Sequence, residues 1–114
     1  MRRGEVWTVS GGPDYAGKPR PAVIVQADDF QALDSVTLCP LTTRSVTGHN
    51  VRLAVAPSVE NGLREPSNLM ADRIMTVRKT KLGKPLGRLS NDDMSRLNSA
   101  MLVFLGLAAP ASTR

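Results

Sequence analysis

The sequence predicts a mainly β fold with some α structure, in which a curled antiparallel sheet is closed by one C-terminal helix. From residue 5 to residue 77, short apolar runs are separated by glycine, proline and polar clusters, a pattern typical of strands joined by turns. Between residues 50 and 56, larger apolar side chains alternate with Asn50, Arg52 and Ala54, which is the period of a half-buried strand. After residue 90 the apolar spacing becomes that of a helix.

In chain order, strands are predicted over residues 5–9, 21–26, 35–41, 50–56 and 68–77. Residues 57–66 are rich in turn formers, and the pair Asn61 and Gly62 is the strongest turn signal among them. No repeat, low-complexity segment or internal domain boundary interrupts the chain, so we expect residues 1–114 to form a single domain.

The predicted helix begins after Ser90, whose side chain can accept from the free amides of the first turn. Asp93, three residues later, completes a box-like arrangement. We expect Pro110 to end the helix and one face to pack on the sheet, with these apolar residues: Met94, Leu97, Met101, Phe104 or Leu105, and Ala108. Phe104 on this face and Trp7 in the first strand are expected in the core.

Length and charge restrict the classes of function. A chain of 114 residues leaves no room for a separate cofactor module, and dimerisation would bury more apolar surface. Fifteen lysines and arginines against ten acids give a net charge of +5, which favours an anionic partner such as nucleic acid. Between residues 73 and 88 there are six cations and no acid: Arg73, Arg78, Lys79, Lys81, Lys84 and Arg88.

Several kinds of site are excluded by residue counts. Cys39 is the single cysteine, which rules out an intrachain disulfide and a cysteine metal site, and we expect it in the core. His49 is the single histidine, so one subunit cannot build a two-histidine acid–base pair. No carboxylates have metal-ligand spacing and no Walker-type glycine loop is present, so no cofactor or metal is expected. With no signal and no membrane-length apolar run, we expect a cytoplasmic protein that does not contact membranes.

RNA cleavage is one of the few reactions compatible with these exclusions. The 2′-hydroxyl of RNA is a nucleophile already attached near the phosphorus, so positioning and charge stabilisation can account for most of the rate enhancement. Arg20 lies between Pro19 and Pro21, where a glycine- and proline-rich loop enters a strand. Proline fixes its own φ and restricts the residue before it, so the guanidinium is aimed, and its planar fork of donors suits phosphate. The alternative is a surface arginine paired with Asp14.

Taken together, the motifs of the chain resemble the MazF/PemK family of toxins, which are small RNA-cleaving enzymes of bacterial toxin–antitoxin pairs. The resemblance covers essentially the whole chain in the family's order, in segments at residues 4–7 (GEVW), 17–25 (GKPRPAVIV), 41–43 (LTT), 61–63 (NGL), 67–76 (SNLMADRIMT) and 82–87 (LGKPLG) followed by the helix. It implies a small SH3-like antiparallel barrel of the CcdB/MazF/Kid type that forms a homodimer.

The activity that this resemblance implies is that of a metal-independent endoribonuclease toxin of the mRNA interferase type. Such an enzyme cleaves single-stranded RNA at short sequence motifs by 2′-hydroxyl attack, leaving a 2′,3′-cyclic phosphate and a 5′-hydroxyl, and so inhibits translation and growth. The resemblance also implies a cognate antitoxin, whose acidic disordered tail folds into the RNA groove near the subunit interface.

By the same resemblance, Arg20 and Thr42 are the catalytic residues. Arg20 would bind the charge that develops on the phosphate, and the hydroxyl of Thr42 would donate to the scissile phosphate. Read without the resemblance, Thr42 is a strand-end residue chosen for β propensity or a turn. Thr43 and Arg44 begin a predicted loop over the site, with Arg44 as a phosphate contact. Tyr15, in the loop before Arg20, is the candidate for base stacking.

Two predicted substrate-binding residues, Arg73 and Lys18, depart from the family pattern. Asp72 is followed by Arg73 where the family commonly carries an acid and then glutamine. Glutamine offers a donor and an acceptor to a base edge, whereas arginine has donors only, so the recognised RNA sequence is expected to differ. Asp72 either accepts from a base amino group or pairs with Arg73 or Lys18. Lys18 itself stands where related loops often have a small residue.

Two other functions remain open from the sequence. One is a DNA gyrase poison like CcdB, which shares the fold, and the other is an RNA-binding barrel without cleavage. Arg20 and Thr42 favour the nuclease, because a gyrase poison needs no phosphate-activating pair and would depend on the tip of its terminal helix.

Overall fold

The computed structural model describes residues 1–10, 18–44 and 51–109, and in these residues the fold has seven strands, one α-helix and three short 3-10 turns. The elements in chain order are β1 (Glu5–Val9), β2 (Arg20–Ile24), β3 (Ser35–Thr42), β4 (Arg52–Val55), β5 (Ser67–Met70), β6 (Met75–Arg78), β7 (Leu82–Arg88) and α1 (Asn91–Phe104). Every strand pair is antiparallel. The predicted antiparallel sheet with a C-terminal helix is therefore confirmed.

The sheet is ordered β4-β5-β3-β2-β1-β7, and β6 pairs with β3 outside this path. Within the described residues the path does not close on itself, so the strands form an open sheet rather than a hydrogen-bonded barrel. β3 is the central strand because it pairs with three others. Leu38 pairs with Ile24 of β2 and with Met75 of β6, so these two strands lie on opposite edges of β3.

The strand expected over residues 68–77 is in fact two strands. β5 and β6 are separated by a 3-10 turn at Ala71–Arg73. Leu69 pairs with Leu41 and Met75 pairs with Leu38. Leu69 and Met75 are six residues apart, whereas their partners in β3 are only three residues apart. The surplus residues leave the ladder, and Ala71 turns inward to full burial while its amide donates to the carbonyl of Val51 at 3.0 Å.

β7 was not predicted, because two glycines and a proline in seven residues disfavour a strand. It pairs with β1 at the end of the sheet, with register shifts on both sides of Trp7. An edge position tolerates a proline such as Pro85, since one side of the strand needs no ladder donor.

Apolar side chains fill both faces of the central strands. On one face, Leu97 and Ala100 of α1 pack in a cluster that includes Val6, Val23 and Leu69. On the other face, Val9, Ala22, Ile24, Val36 and Leu38 form a second cluster, against which Trp7 packs while partly exposed. Cys39 is fully buried, as expected, and burial raises the pKa of its thiol to about 12.

The helix begins as predicted, because the Oγ of Ser90 accepts from the amide of Asp93 at 3.1 Å. The Asp93 carboxylate accepts from Arg96 Nη1 at 2.9 Å, and Arg96 Nη1 also donates to the carbonyl of Ala54, which ties the helix to β4.

The predicted helix end is wrong. α1 stops at Phe104, and Gly106 takes φ 76° in the left-handed region, with Leu107 N donating to Leu102 O at 2.8 Å. This is a Schellman motif with Leu105 as the C-cap and glycine in the next position, which ends the helix before Pro110. The expectation that Phe104 lies in the core is also wrong, since 48% of it is exposed in this single chain.

The turn before β5 packs against β7 with no room for a side chain at Gly62. Its φ is 70°, and a Cβ there would lie 2.1 Å from the carbonyl oxygen of Leu86. Asn61 is buried and holds the turn, since its Oδ1 accepts from the amides of Ser58 and Leu63, both at 2.9 Å. Glycine at position 62 is therefore required both by backbone conformation and by contact.

We expect Gly62→Ala to destabilise the fold by roughly 3 kcal/mol, because it combines a left-handed φ with a backbone overlap. Gly106→Ala is the matched control: it has a similar φ of 76° but no atom within 4 Å, so it should cost only about 1 kcal/mol. Chemical denaturation of both variants measures the difference. Equal losses would show that the contact with β7 contributes nothing.

Candidate active site

Arg20 is the first residue of β2 and Thr42 is the last residue of β3. The two strands pair Ile24 with Leu38 and Ala22 with Pro40. Continuing this register by two residues brings Arg20 opposite Thr42. Directly opposed residues in an antiparallel pair project from the same face, so the two predicted catalytic side chains belong to one face of one strand pair.

The same line of residues continues across the sheet. Thr42 pairs with Asn68 of β5, and Asn68 pairs with Ala54 of β4. On the other side, Val9 of β1 pairs with Arg20. We call the four residues Ala54, Asn68, Thr42 and Arg20 the Thr42 row. Neighbouring strands are about 4.8 Å apart, so Arg20 and Asn68 flank Thr42 within reach of one bound nucleotide.

Two prolines shape the strands beside this row. Pro21 follows Arg20 and Pro40 lies in β3, and neither has an N–H for the ladder. Lys18, Pro19 and Arg20 are exposed, whereas Ala22 is buried, so the chain passes from solvent into the core within two residues. The prolines restrict the backbone on both sides of Arg20, and the aimed orientation of its side chain stays a prediction.

A short hydrogen-bonded turn follows Thr42. The amide of Arg44 donates to Thr42 Oγ1 at 3.2 Å, and the carbonyl of Arg44 accepts from Asn68 Nδ2 at 3.0 Å. A threonine hydroxyl has one donor and two acceptor sites, so accepting from Arg44 leaves its proton available for a ligand. Thr43 and Arg44 are exposed beside it.

Asp72 is held by a residue that the sequence did not single out. Arg52 of β4 binds it with two hydrogen bonds, Nε to Oδ1 at 2.5 Å and Nη2 to Oδ2 at 2.8 Å. The carboxylate is therefore paired with Arg52 and not, as the sequence suggested, with Arg73 or Lys18. These hydrogen bonds hold the pKa of Asp72 below its usual range despite partial burial. The pair stabilises the fold above the ordinary aspartate pKa, and this contribution is lost as the pH falls through the lowered pKa.

Arg73 is exposed at the end of the 3-10 turn that follows β5. Because β5 begins at the Thr42 row and runs away from it, Asp72 and Arg73 lie about 10 Å along the sheet from Asn68. The structure thus brings Arg20, Thr42, Thr43 and Arg44 to one end of β2 and β3 and places Asp72 and Arg73 further along. Tyr15 lies outside the described residues, as do Asp14 and His49.

Five of the six cations between residues 73 and 88 are exposed. The exception is Lys79, which is half-buried and donates from Nζ to the carbonyl of Gln31. Lys81 lies near the Thr42 row, because its carbonyl accepts from Ser10, the residue after β1, at 2.8 Å. The positive surface therefore reaches the end of the sheet where Arg20 begins β2.

Two site residues were missed from the sequence, Arg52 and Asn68. The sequence predicts for Arg52 only the polar side of an alternating strand, and it places Asn68 only within a motif. An asparagine inside an apolar strand segment was the one available signal, because asparagine is depleted in strands. Among residues 1–10, 18–44 and 51–109, no three His, Cys, Asp or Glu side chains are grouped to hold a metal ion. In that same part of the chain, α1 is too short and too polar to cross a bilayer.

Comparison with known proteins connects this geometry to a family. The family of PemK-like, MazF-like toxins of type II toxin–antitoxin systems matches residues 2–105. A protein of Mycolicibacterium smegmatis named probable endoribonuclease MazF is 43% identical over 108 residues, which cover 95% of this chain and 99% of that protein. The endoribonuclease MazF9 of Mycobacterium tuberculosis is 28% identical over 116 residues, covering 94% of this chain and 98% of that protein.

The fold is similar to that of solved relatives as well. An endoribonuclease from a mycobacterial species, solved in complex with its cognate antitoxin, has a TM-score of 0.82 and 29% sequence identity. The similarity covers 96% of this chain and 99% of that chain. With the match running from the strand before the predicted catalytic loop to the end of α1, the chain belongs to the PemK-like, MazF-like toxin family of type II toxin–antitoxin systems.

Proposed function

We propose that this toxin is a metal-independent endoribonuclease that cuts single-stranded RNA at short sequence motifs. The observation that carries the proposal is the register of β2 and β3, in which Ile24 pairs with Leu38 and Ala22 with Pro40. Continued by two residues, this register puts Arg20 opposite Thr42 on one face. The names of the 43% and 28% identical relatives, both endoribonucleases, support the same activity.

The reaction we propose uses the 2′-hydroxyl of the substrate as nucleophile, this pair as donors to the phosphate, and solvent water for the proton transfers. The 2′-oxygen bonds to phosphorus as water takes its proton, the bond from phosphorus to the 5′-oxygen breaks, and that oxygen takes a proton from water. The products are a 2′,3′-cyclic phosphate and a 5′-hydroxyl. Negative charge grows on the phosphate oxygens on the way, and the Arg20 guanidinium and the Thr42 hydroxyl donate to them.

Recognition of the RNA sequence is assigned to residues around this pair. Lys18, Thr43 and Arg44 would hold the backbone near the cut, and Tyr15 would stack on a base. Arg73 would read a base edge, since its paired donors fit guanine. The Arg52 guanidinium occupies one lone pair on each oxygen of Asp72, so the carboxylate keeps acceptor capacity for a base amino group.

We further propose that the toxin works in the cytoplasm as a homodimer that inhibits translation and growth until a cognate antitoxin binds it. An exposed apolar surface at the end of α1 supports the dimer, with Leu102, Phe104, Leu105 and Leu107 all between 44% and 72% exposed. A solved relative of 29% identity is in complex with its antitoxin, and the net charge of +5 suits an acidic antitoxin tail as well as RNA.

Replacing either member of the pair should remove cleavage while keeping the fold. We expect Arg20→Ala and Thr42→Ala to lower the cleavage rate about 10²- to 10³-fold, as when a preorganised oxyanion donor is lost, with the larger effect for Arg20. Arg2→Ala is the control, since Arg2 pairs with Asp28 at the opposite end of the strands. Cleavage at the parental rate by a folded Arg20→Ala protein would contradict the proposal.

The identity of the nucleophile gives a second test. Cleavage should continue in excess EDTA and stop on an RNA whose cut site carries a 2′-deoxy or 2′-O-methyl sugar, because the attacking hydroxyl is then absent. Gel mapping of cut ends measures both, and binding of the 2′-O-methyl RNA serves as the control for recognition. Cleavage of the 2′-deoxy bond would require attack by water instead.

The dimer is tested at Phe104. We expect Phe104→Lys to shift the protein from dimer to monomer, because it puts a charge into the apolar surface while a cation at a helix C-terminus leaves the helix itself intact. Val59→Lys is the matched control, since Val59 is fully exposed elsewhere. Light scattering after size exclusion gives the masses, and an unchanged dimer mass for Phe104→Lys would place the interface on another surface.

A further inference from the structure

Asn68 occupies the position in β5 directly opposite Thr42. Opposed residues share a face of the sheet, so the Asn68 side chain lies on the face that carries Thr42 and Arg20. It is only half-buried, and it stands between Ser67 and Leu69, both of which are buried. Asparagine is unfavourable in a strand, so its place in β5 needs a compensating contact.

That contact is with the turn that follows Thr42. Asn68 Nδ2 donates to the carbonyl of Arg44 at 3.0 Å, and the amide of the same Arg44 donates to Thr42 Oγ1 at 3.2 Å. Thr42 and Asn68 are also joined through the ladder of β3 and β5. The side chain of Asn68, both polar groups of the Arg44 backbone and the hydroxyl of Thr42 thus form one closed loop of contacts.

Each link in this loop restricts the next. The bond from Asn68 holds the Arg44 carbonyl in place and so limits the backbone rotations of Arg44. The amide of the same residue then stays on a lone pair of the Thr42 hydroxyl and restricts its χ1 rotamer. With that lone pair engaged, the hydroxyl keeps its proton for a ligand on the face shared with Arg20. Without Asn68 the Arg44 backbone loses this anchor, and the Thr42 hydroxyl is held less firmly.

We propose that Asn68 is a positioning residue for Thr42, holding the Thr42 hydroxyl ready to donate to the scissile phosphate through the Arg44 backbone. This inference rests on the proposed function, in which Thr42 donates to that phosphate. Asn68 acts through the Arg44 backbone and does not itself contact the reacting atoms. Preorganisation of this kind acts on the chemical step more than on RNA binding, because the cationic phosphate contacts stay in place.

The test compares Asn68→Ala and Asn68→Leu with the parent protein, alone and in combination with Thr42→Ala. Leucine keeps the approximate size and neutrality of asparagine without its donor, so a packing role would survive in Asn68→Leu. Thr76→Ala is the matched control, because it removes a 2.8 Å side-chain hydrogen bond to Thr37 at the far end of the same strand β3. Thermal melting selects the variants that keep the parental fold.

Single-turnover cleavage of an RNA carrying the parent's mapped cut site gives the rate, and binding of its 2′-O-methyl analogue gives affinity. We expect both Asn68 variants to cleave about 10-fold more slowly with affinity within about threefold of the parent, and Thr76→Ala to match the parent. In the Thr42→Ala background, a further change at Asn68 should lower the rate by less than about twofold, because its effect passes through the missing hydroxyl.

Two results would overturn the inference without touching the proposed function. Both require that Thr42→Ala is itself strongly impaired. The first is cleavage at the parental rate by Asn68→Leu. The second is a full further 10-fold loss of rate when Asn68→Ala is added to Thr42→Ala. A parental rate in Thr42→Ala alone would instead overturn the proposed role of Thr42, and the inference with it.

Discussion

The antiparallel register around β3 is the constraint on which the rest of the site depends. β3 pairs with β2 on one edge and with β5 on the other. At its end Thr42 lies opposite Asn68, and continuing the register of β2 by two residues adds Arg20 to the same line. A slip of one residue in either ladder would send the corresponding side chain to the opposite face. The relative position of the two predicted catalytic groups is therefore set by the backbone pairing of β2 with β3, two to four residues away from either group.

That register is fixed because both faces of the central strands are buried. Ala22, Ile24 and Leu38 fill one face, while Val23 and Cys39 lie under the helix on the other. With both faces buried, a one-residue slip would leave no side chain facing water and would move every core side chain to the opposite face. The displaced side chains would not fit the close-packed core, so alternative registers have a much higher free energy. Arg3 adds a tie between layers, since it donates to the carbonyl of Val25 at 2.8 Å and to Asn98 of the helix at 2.6 Å.

The surface divides into three parts with different chemistry. The end of the sheet at Arg20 and Arg44 presents cations beside a threonine hydroxyl, whereas Asp72 lies further along in an ion pair with Arg52. Cations near a cut site suit a phosphate backbone, and a carboxylate with fixed orientation suits a base edge. The apolar end of α1 forms a third, separate surface.

Much of the fold was determined by the sequence alone. Periodicity and turn residues placed β1 to β4 to within two residues at each end, and Ser90 placed the start of α1, because these signals depend on local chemistry. The sequence failed in two places where tertiary contacts decided: β7 is a strand because β1 offers it an edge, and β5 and β6 separate because both must pair with one shorter stretch of β3. The helix end is a different case, because Gly106 ends α1 before the proline through local hydrogen bonds. The site follows the same division. Residue type and the neighbouring prolines singled out Arg20 in the sequence. Only the tertiary structure places Asn68 against Thr42 and Arg52 against Asp72, because the two residues of each pair are far apart in the chain.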